Sequence, residues 1–161
     1  MNSHPTDCLS PPKPPLDREL LMVGMAAKTY RIDNVVRKEC HILEDDEHIT
    51  RQNIEACETE AMIYRILGDH QRIVKCLAIS PTNDYIELEY YPFDNLKIYL
   101  DENRPNVTVE DLRRWAYQMV ESIAYIHSKG VLHSDLRLEQ WFVDARLDVR
   151  LGDFNAAGFK N

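Results

Sequence analysis

The sequence predicts an α+β fold, in which a small antiparallel sheet carrying one helix is followed by a mainly helical region. Three observations carry that expectation. Short apolar runs separated by turn residues recur between Leu20 and Tyr90, as paired strands require. A helical repeat from Ile54 to Leu67 interrupts them, and a longer one runs from Leu112 to His127.

Composition bounds the function before any motif is read. With 161 residues, 44% of them apolar and 29% charged, the chain suits one water-facing domain, and roughly 68–70% of its unfolded surface would be buried on folding. No apolar run approaches the ~20 residues of a membrane helix. A net charge of -8 argues against a general nucleic-acid binder, which needs clustered Lys and Arg to displace counterions. Cys8, Cys40, Cys57 and Cys76 are scattered, without zinc-site spacing, and read as free thiols. The start lacks the order of a signal peptide, so the expected compartment is reducing, cytoplasmic or nuclear.

Residues 1–18 hold Pro5, Pro11, Pro12, Pro14 and Pro15, which block helix and ladder pairing; the stretch reads as a disordered tail, either a spacer or a ligand for an aromatic groove. Leu20 to Ile32 predicts two paired strands, with a third at Val35-Val36-Arg37-Lys38 after the turn Asp33-Asn34. Asp45-Asp46-Glu47 is expected as a solvated loop ahead of a helix, with Thr50 as its N-cap. In that helix Ile54, Cys57, Ala61 and Tyr64, widened by Met62, Ile63, Ile66 and Leu67, form the apolar face, and Gly68 ends it. Ile73–Ile79 and Tyr85–Tyr90 predict a hairpin around Ser80-Pro81-Thr82-Asn83-Asp84. A short helix follows over Lys97 to Glu102, interrupted at Arg104-Pro105. The long helix opens at Thr108, with Asp111 completing a capping box. Leu112, Trp115, Ala116, Met119, Val120, Ile123, Ala124 and a packed His127 form its stripe, and Gly130 stops it.

The chemistry concentrates in Val131-Leu132-His133-Ser134-Asp135-Leu136-Arg137 through Gln140, and in Leu151-Gly152-Asp153-Phe154-Asn155. Asp135 and Asp153 stand on loops beside short apolar runs, with the amide of Gln140 between them. Carboxylates so placed can orient an attacking hydroxyl and hold a hard divalent cation, the two tasks of phosphoryl transfer.

This stretch resembles the catalytic and metal-binding loops of eukaryotic protein kinases, whose patterns are His-Arg-Asp-Leu-x-x-x-x-Asn and Asp-Phe-Gly. The resemblance extends over residues 20 to 159. It implies a kinase fold, with an N-lobe and hinge at 19–91 and a partial, mainly helical C-lobe at 92–161. Val35-Val36-Arg37-Lys38 is similar to the strand whose lysine holds the α- and β-phosphates, and Glu60 stands where the family's helix supplies that lysine's partner. Taken alone, these are a lysine at a strand end and a glutamate on a helix. Met22, Gly24 and Ala27 occupy the positions of the phosphate-covering glycines, with Val23 among them. Leu88 is implied at the back of an adenine pocket, Glu89 and Tyr91 at the adenine edge through their backbone, and Asn95 or Asp94 near the ribose. Asp135 would orient the substrate hydroxyl, Arg137 would bring positive charge to the transferred phosphate, and Asp153 with Gln140 would hold magnesium. ATP and Mg2+ are the implied cofactors, and a protein serine or threonine hydroxyl the implied acceptor.

Four departures temper this. Gln140 replaces asparagine and adds a methylene, which predicts weaker metal binding. Ser134 removes the arginine that grips a phosphorylated activation loop, and Asn155 replaces a glycine as a residue tolerant of left-handed backbone. After Phe159-Lys160-Asn161 no activation segment, Ala-Pro-Glu motif or completing helices follow. The expectation is a fragment, an incomplete product, or a module whose exposed C-lobe face a protein partner covers. Retained Lys38, Glu60, Asp135 and Asp153 favour a phosphotransferase. Gln140 and the glycine-poor hairpin favour a pseudokinase-like nucleotide-binding or regulatory module, and an inactive truncation is the third alternative.

Overall fold

Strand pairing begins at Glu19, and the computed structural model describes residues 17–160. The proline run and Cys8 lie outside them. Arg18, placed in the tail by the sequence, is held against the sheet: its guanidinium lies 4.2 Å from the Tyr30 ring centre and 3.2 Å from the Glu39 carboxylate.

Five strands form one antiparallel sheet: β1 (Glu19–Val23), β2 (Ala27–Ile32), β3 (Val35–Cys40), β4 (Cys76–Ile79) and β5 (Tyr85–Glu89), in the order β1-β2-β3-β5-β4. Period-two alternation turns Ala27, Thr29, Val36, Lys38, Ile86 and Leu88 to one face, since Thr29 pairs with Lys38, Lys38 with Ile86 and Val36 with Leu88. β4 starts later than Ile73, because Val74 N–H donates to Leu151 O and Leu151 N–H to Arg72 O, both at 2.9 Å. The backbone there belongs to a ladder with the second half of the chain.

Helix α1 (Glu47–Leu67) is capped by Asp46, whose carboxylate accepts Ile49 N–H at 2.9 Å. The acidic run is thus the cap itself, and Thr50 instead closes the preceding loop onto Leu43 N and O. The buried face also differs from the expected one: Asn53, Glu60, Ala61, Ile63, Tyr64 and Leu67 are buried, while Ile54, Met62 and Ile66 are exposed. Two polar residues face inward, which apolar periodicity does not register. Asn53 Nδ2 donates to His41 O at 2.8 Å. Gly68, at φ 62°, ends the helix as expected.

The second half contains α2 (Leu96–Asn103), a 3-10 turn at Arg104–Asn106, and α3 (Val109–Ser128), opened by the Thr108–Asp111 capping box. Two hairpin-like pairs follow, β6 (Val131–Leu132) with β9 (Gly158–Phe159) and β7 (Trp141–Val143) with β8 (Val149–Leu151), where the sequence predicts loops. Two- and three-residue strands are too short to show a period. The inward side of α3 is Trp115, Gln118, Ser122 and Ile126. Trp115 Nε1 donates to Leu147 O at 2.8 Å, Gln118 Nε2 to Asp148 Oδ1 at 2.6 Å, and Trp141 Nε1 to Ser122 Oγ at 3.2 Å. Five of the eight expected stripe residues point outward: Leu112 and Val120 are 50% and 65% exposed, with Ala116, Ala124 and His127 beside them. His127 is therefore not packed. One core runs through both halves, from Ala61 and Ile63 to Trp115, Val143 and Phe154.

Candidate functional site

Three charged groups meet between the sheet and the helical half. Lys38 Nζ lies 2.7 and 2.8 Å from the two Glu60 carboxylate oxygens and 2.8 Å from Asp153 Oδ1. The lysine and glutamate side chains are only 10% and 3% exposed. Strand β3 aims the lysine inward, α1 carries the glutamate to it, and the loop after β8 brings the aspartate from the other half. Glu60 Oε1 also accepts Phe154 N–H at 3.2 Å.

Burial and charge act against each other here. Burial lowers the Lys38 pKa, but the Glu60 and Asp153 carboxylates outweigh it and leave the ammonium above its ordinary value. For Asp153, burial pushes the carboxyl up and the Lys38 ammonium more than reverses it, leaving it below the usual range. For Glu60, deeper in, burial wins over Lys38 and raises the carboxyl. Of the two carboxyls, Glu60 holds its proton the more readily.

Asp135 stands on the neighbouring loop, where Gln140 Nε2 donates to its Oδ2 at 2.9 Å and Arg137 Nη2 lies 3.4 Å from the same oxygen. Gly152 joins the two loops: its N–H donates to Gln140 O and its carbonyl accepts His133 Nε2–H, each at 2.8 Å. A Cβ at Gly152 would stand 2.8 Å from Val74 Cγ2, so only glycine fits this crossing. Ser134 and Asp153 have φ of 66° and 56°, left-handed conformations that turn the flanking carboxylates. Asn155, expected in that region, has no positive φ. Phe154 is fully buried, edge-on to Tyr64 at 5.3 Å and 5.1 Å from the His133 ring. Its burial beneath α1 keeps Asp153 pointing at Lys38.

The remaining candidates lie along the sheet and the connection between halves. Gly24 N–H donates to Ala27 O at 2.9 Å, closing the β1–β2 turn between Val23 and Ala27, so that amide is already engaged. Leu88 is buried on the inner face. The Tyr91 hydroxyl donates to the Glu89 carboxylate at 3.0 Å and accepts Lys75 N–H at 3.2 Å, which turns both side chains toward each other. Asn95 Oδ1 caps α2 by accepting Ile98 N–H at 3.1 Å. Sequence reasoning does not single out Thr29, which pairs with Lys38 on the inner face; its Oγ1 is buried without a partner. The legible signal was a polar residue two positions after Ala27 on a strand whose alternate residues face inward. Among the described residues, no cluster of three or more His, Cys, Asp or Glu forms a metal site, and no helix is long and apolar enough to cross a membrane.

Over residues 23–161 the chain matches the family model of the protein kinase domain. The chain belongs to the protein kinase family. Relatives include the serine/threonine-protein kinase plk-2 of Caenorhabditis elegans, 36% identical over 61% of this chain and 16% of that protein. A probable CTD kinase subunit alpha homolog of Encephalitozoon cuniculi is 30% identical over 62% of the chain and 30% of its own length. The serine/threonine-protein kinase SIK1 of Rattus norvegicus is 26% identical over 71% of the chain and 15% of its length. The alignments span less than a third of these kinases. The α+β architecture, a sheet-and-helix N-lobe with a partial helical C-lobe, is that of the kinase fold.

Proposed function

We propose that this chain binds ATP with magnesium in the cleft between its sheet and its helical half, and that the cleft serves phosphoryl transfer to a serine or threonine hydroxyl of a protein. The observation that supports this most is the Lys38 ammonium held between Glu60 and Asp153 at 2.7–2.8 Å. Such a cluster fixes a cation for phosphate oxygens and leaves an anion for a metal. The unpartnered Thr29 hydroxyl beside Lys38 also fits a polar ligand on this face.

In this reading Lys38 neutralises the α- and β-phosphates, with Glu60 as the residue that positions it. Asp153 and Gln140 would hold magnesium, which would supply positive charge to the phosphates when bound. Asp135 orients the acceptor hydroxyl, and Arg137 brings positive charge to the transferred group. Val23, Gly24 and Ala27 cover the phosphates. Leu88, Glu89 and Tyr91 border the base, and Asn95 the ribose side. The division at the hinge, 19–91 against 92–161, follows from the same reading. Protein contacts, as substrate or as cover for the exposed side of α3, belong to it too.

A second reading, a regulatory nucleotide-binding module with little turnover, is favoured by two contacts. Gly24 N–H is taken by Ala27 O, and Gln140 directs its amide nitrogen at Asp135. Thermal shift and phosphate release with ATP, with and without magnesium, separate the readings. Magnesium-dependent stabilisation with transfer to a peptide supports the enzyme, stabilisation without transfer supports the module, and no response to ATP refutes both.

A further inference from the structure

Beside the ion pair lies a second link between β3 and α1 that the nucleotide chemistry does not use. Cys40 is two residues beyond Lys38 on β3, hence on the same face of the strand. Cys57 is three residues before Glu60 on α1, hence nearly one turn back on the same side of the helix. Cys40 stands opposite Ala27 across the β2–β3 ladder, so it lies at the corner of the sheet that Cys57 faces. Both are half-buried, so a small molecule in solvent can reach them. Cys57 Sγ also lies 3.7 Å from Ala26 O, the carbonyl that accepts the N–H of His41, the residue after Cys40. Both cysteines therefore converge on the backbone where the β1–β2 turn meets the end of β3.

We propose that Cys40 and Cys57 form a reversible intramolecular disulfide, a peroxide-sensitive modification site that ties α1 to β3 alongside the Lys38–Glu60 pair. The neighbouring Cys57 holds the Cys40 thiol below its ordinary value, which makes Cys40 the attacking sulfur. Its lone pair attacks one peroxide oxygen, the O–O bond breaks, and the departing hydroxide takes a proton to leave as water. Cys40 is then a sulfenic acid. Cys57 sulfur attacks the Cys40 sulfur, the S–O bond breaks, and a second water leaves with the Cys57 proton. Two thiols and one hydrogen peroxide give one disulfide and two waters, with two electrons passing from sulfur to oxygen. A dithiol reductant of the thioredoxin class reverses the step. The bond requires Cβ atoms about 3.8 Å apart, a spacing set by the backbones of α1 and β3 rather than by side-chain rotation. Because it sits one turn along from Glu60, it holds the helix where that carboxylate reaches Lys38, and does so whether or not Glu60 carries its charge.

Bond formation is independent of the nucleotide-binding reading, so it is tested without nucleotide. The full chain carrying Cys8→Ser and Cys76→Ser is treated with hydrogen peroxide as a monomer. The expected product has lost two hydrogens in mass, titrates with no free thiol, and yields one cross-linked peptide pair joining Cys40 to Cys57. Amide exchange across α1 should slow on the order of a hundredfold, the effect of closing a loop of about 15 residues, and dithiothreitol should restore the original rate. Adding Cys57→Ser should leave a Cys40 sulfenic acid that a dimedone probe captures. Sulfinic acid at either cysteine of the unsubstituted pair, a cross-link between chains, or unchanged free thiols would each overturn the proposal.

Discussion

In the proposed reading Asp153 is the residue on which the metal chemistry turns, and replacing it separates charge from fold. In Asp153→Ala the Lys38 ammonium keeps Glu60, so the chain should stay folded while magnesium-dependent stabilisation by ATP disappears from a thermal melt. Gln140→Asn shortens the amide that now reaches Asp135 at 2.9 Å. It should raise the apparent magnesium affinity about tenfold, the scale of a reoriented ligand shell, measured as the magnesium concentration that half-saturates the ATP-induced shift. The cluster also has a defined titration order. Glu60 is raised and Asp153 lowered, so on acidification Glu60 should take its proton before Asp153, read from side-chain carboxyl carbon shifts. The linkage signs are opposite. Asp153 contributes stability above its unfolded pKa of about 3.9, lost as pH falls through its lower folded value. Glu60 binds its proton more tightly when folded, so its contribution grows as pH falls from its raised folded value toward about 4.3.

At the scale of elements, Gly152, just after β8, passes Val74 with no room for a side chain. Gly152→Ala should destabilise by about 1–3 kcal/mol through overpacking, and Val74→Ala should relieve part of that in a double-mutant cycle by urea denaturation. A change at Thr108 acts locally. Thr108→Ala removes one half of the capping box and should cost about 1 kcal/mol, seen in the same measurement. Elements with long apolar periods and explicit caps were legible: α3 began at its box, and β2 and β3 met around Asp33-Asn34. What escaped had a physical reason. The inward sides of α1 and α3 carry Asn53, Glu60, Gln118 and Ser122, polar groups whose partners lie far along the chain. β6 to β9 are too short for alternation to accumulate. The identity of the cluster at Lys38 was readable only because several weak motifs occur in one order, whereas the orphaned Thr29 hydroxyl and the engaged Gly24 amide depend on register.

Across the whole molecule, the outward side of α3 presents Val109, Leu112, Tyr117 and Val120, exposed by 72%, 50%, 69% and 65%. An apolar strip of this kind favours association. Leu112→Glu with Val120→Glu should abolish concentration-dependent light scattering while shifting stability by no more than about 0.5 kcal/mol. The two halves are joined by more than the connection after β5. Leu67 O receives the Tyr125 hydroxyl, Arg72 pairs with Glu121 at 2.6 Å, and Val74 shares backbone bonds with Leu151. All of these grip the chain at or just after the last turn of α1. Toward its far end, Thr50 holds the loop from Leu43 and Asn53 the His41 carbonyl, both within the first half of the chain. A lever fixed at one tip moves most at the other, and Glu60 sits two turns from the fulcrum. The approach of its carboxylate to the lysine should thus be adjusted by small swings of the helix, without the lobes having to part.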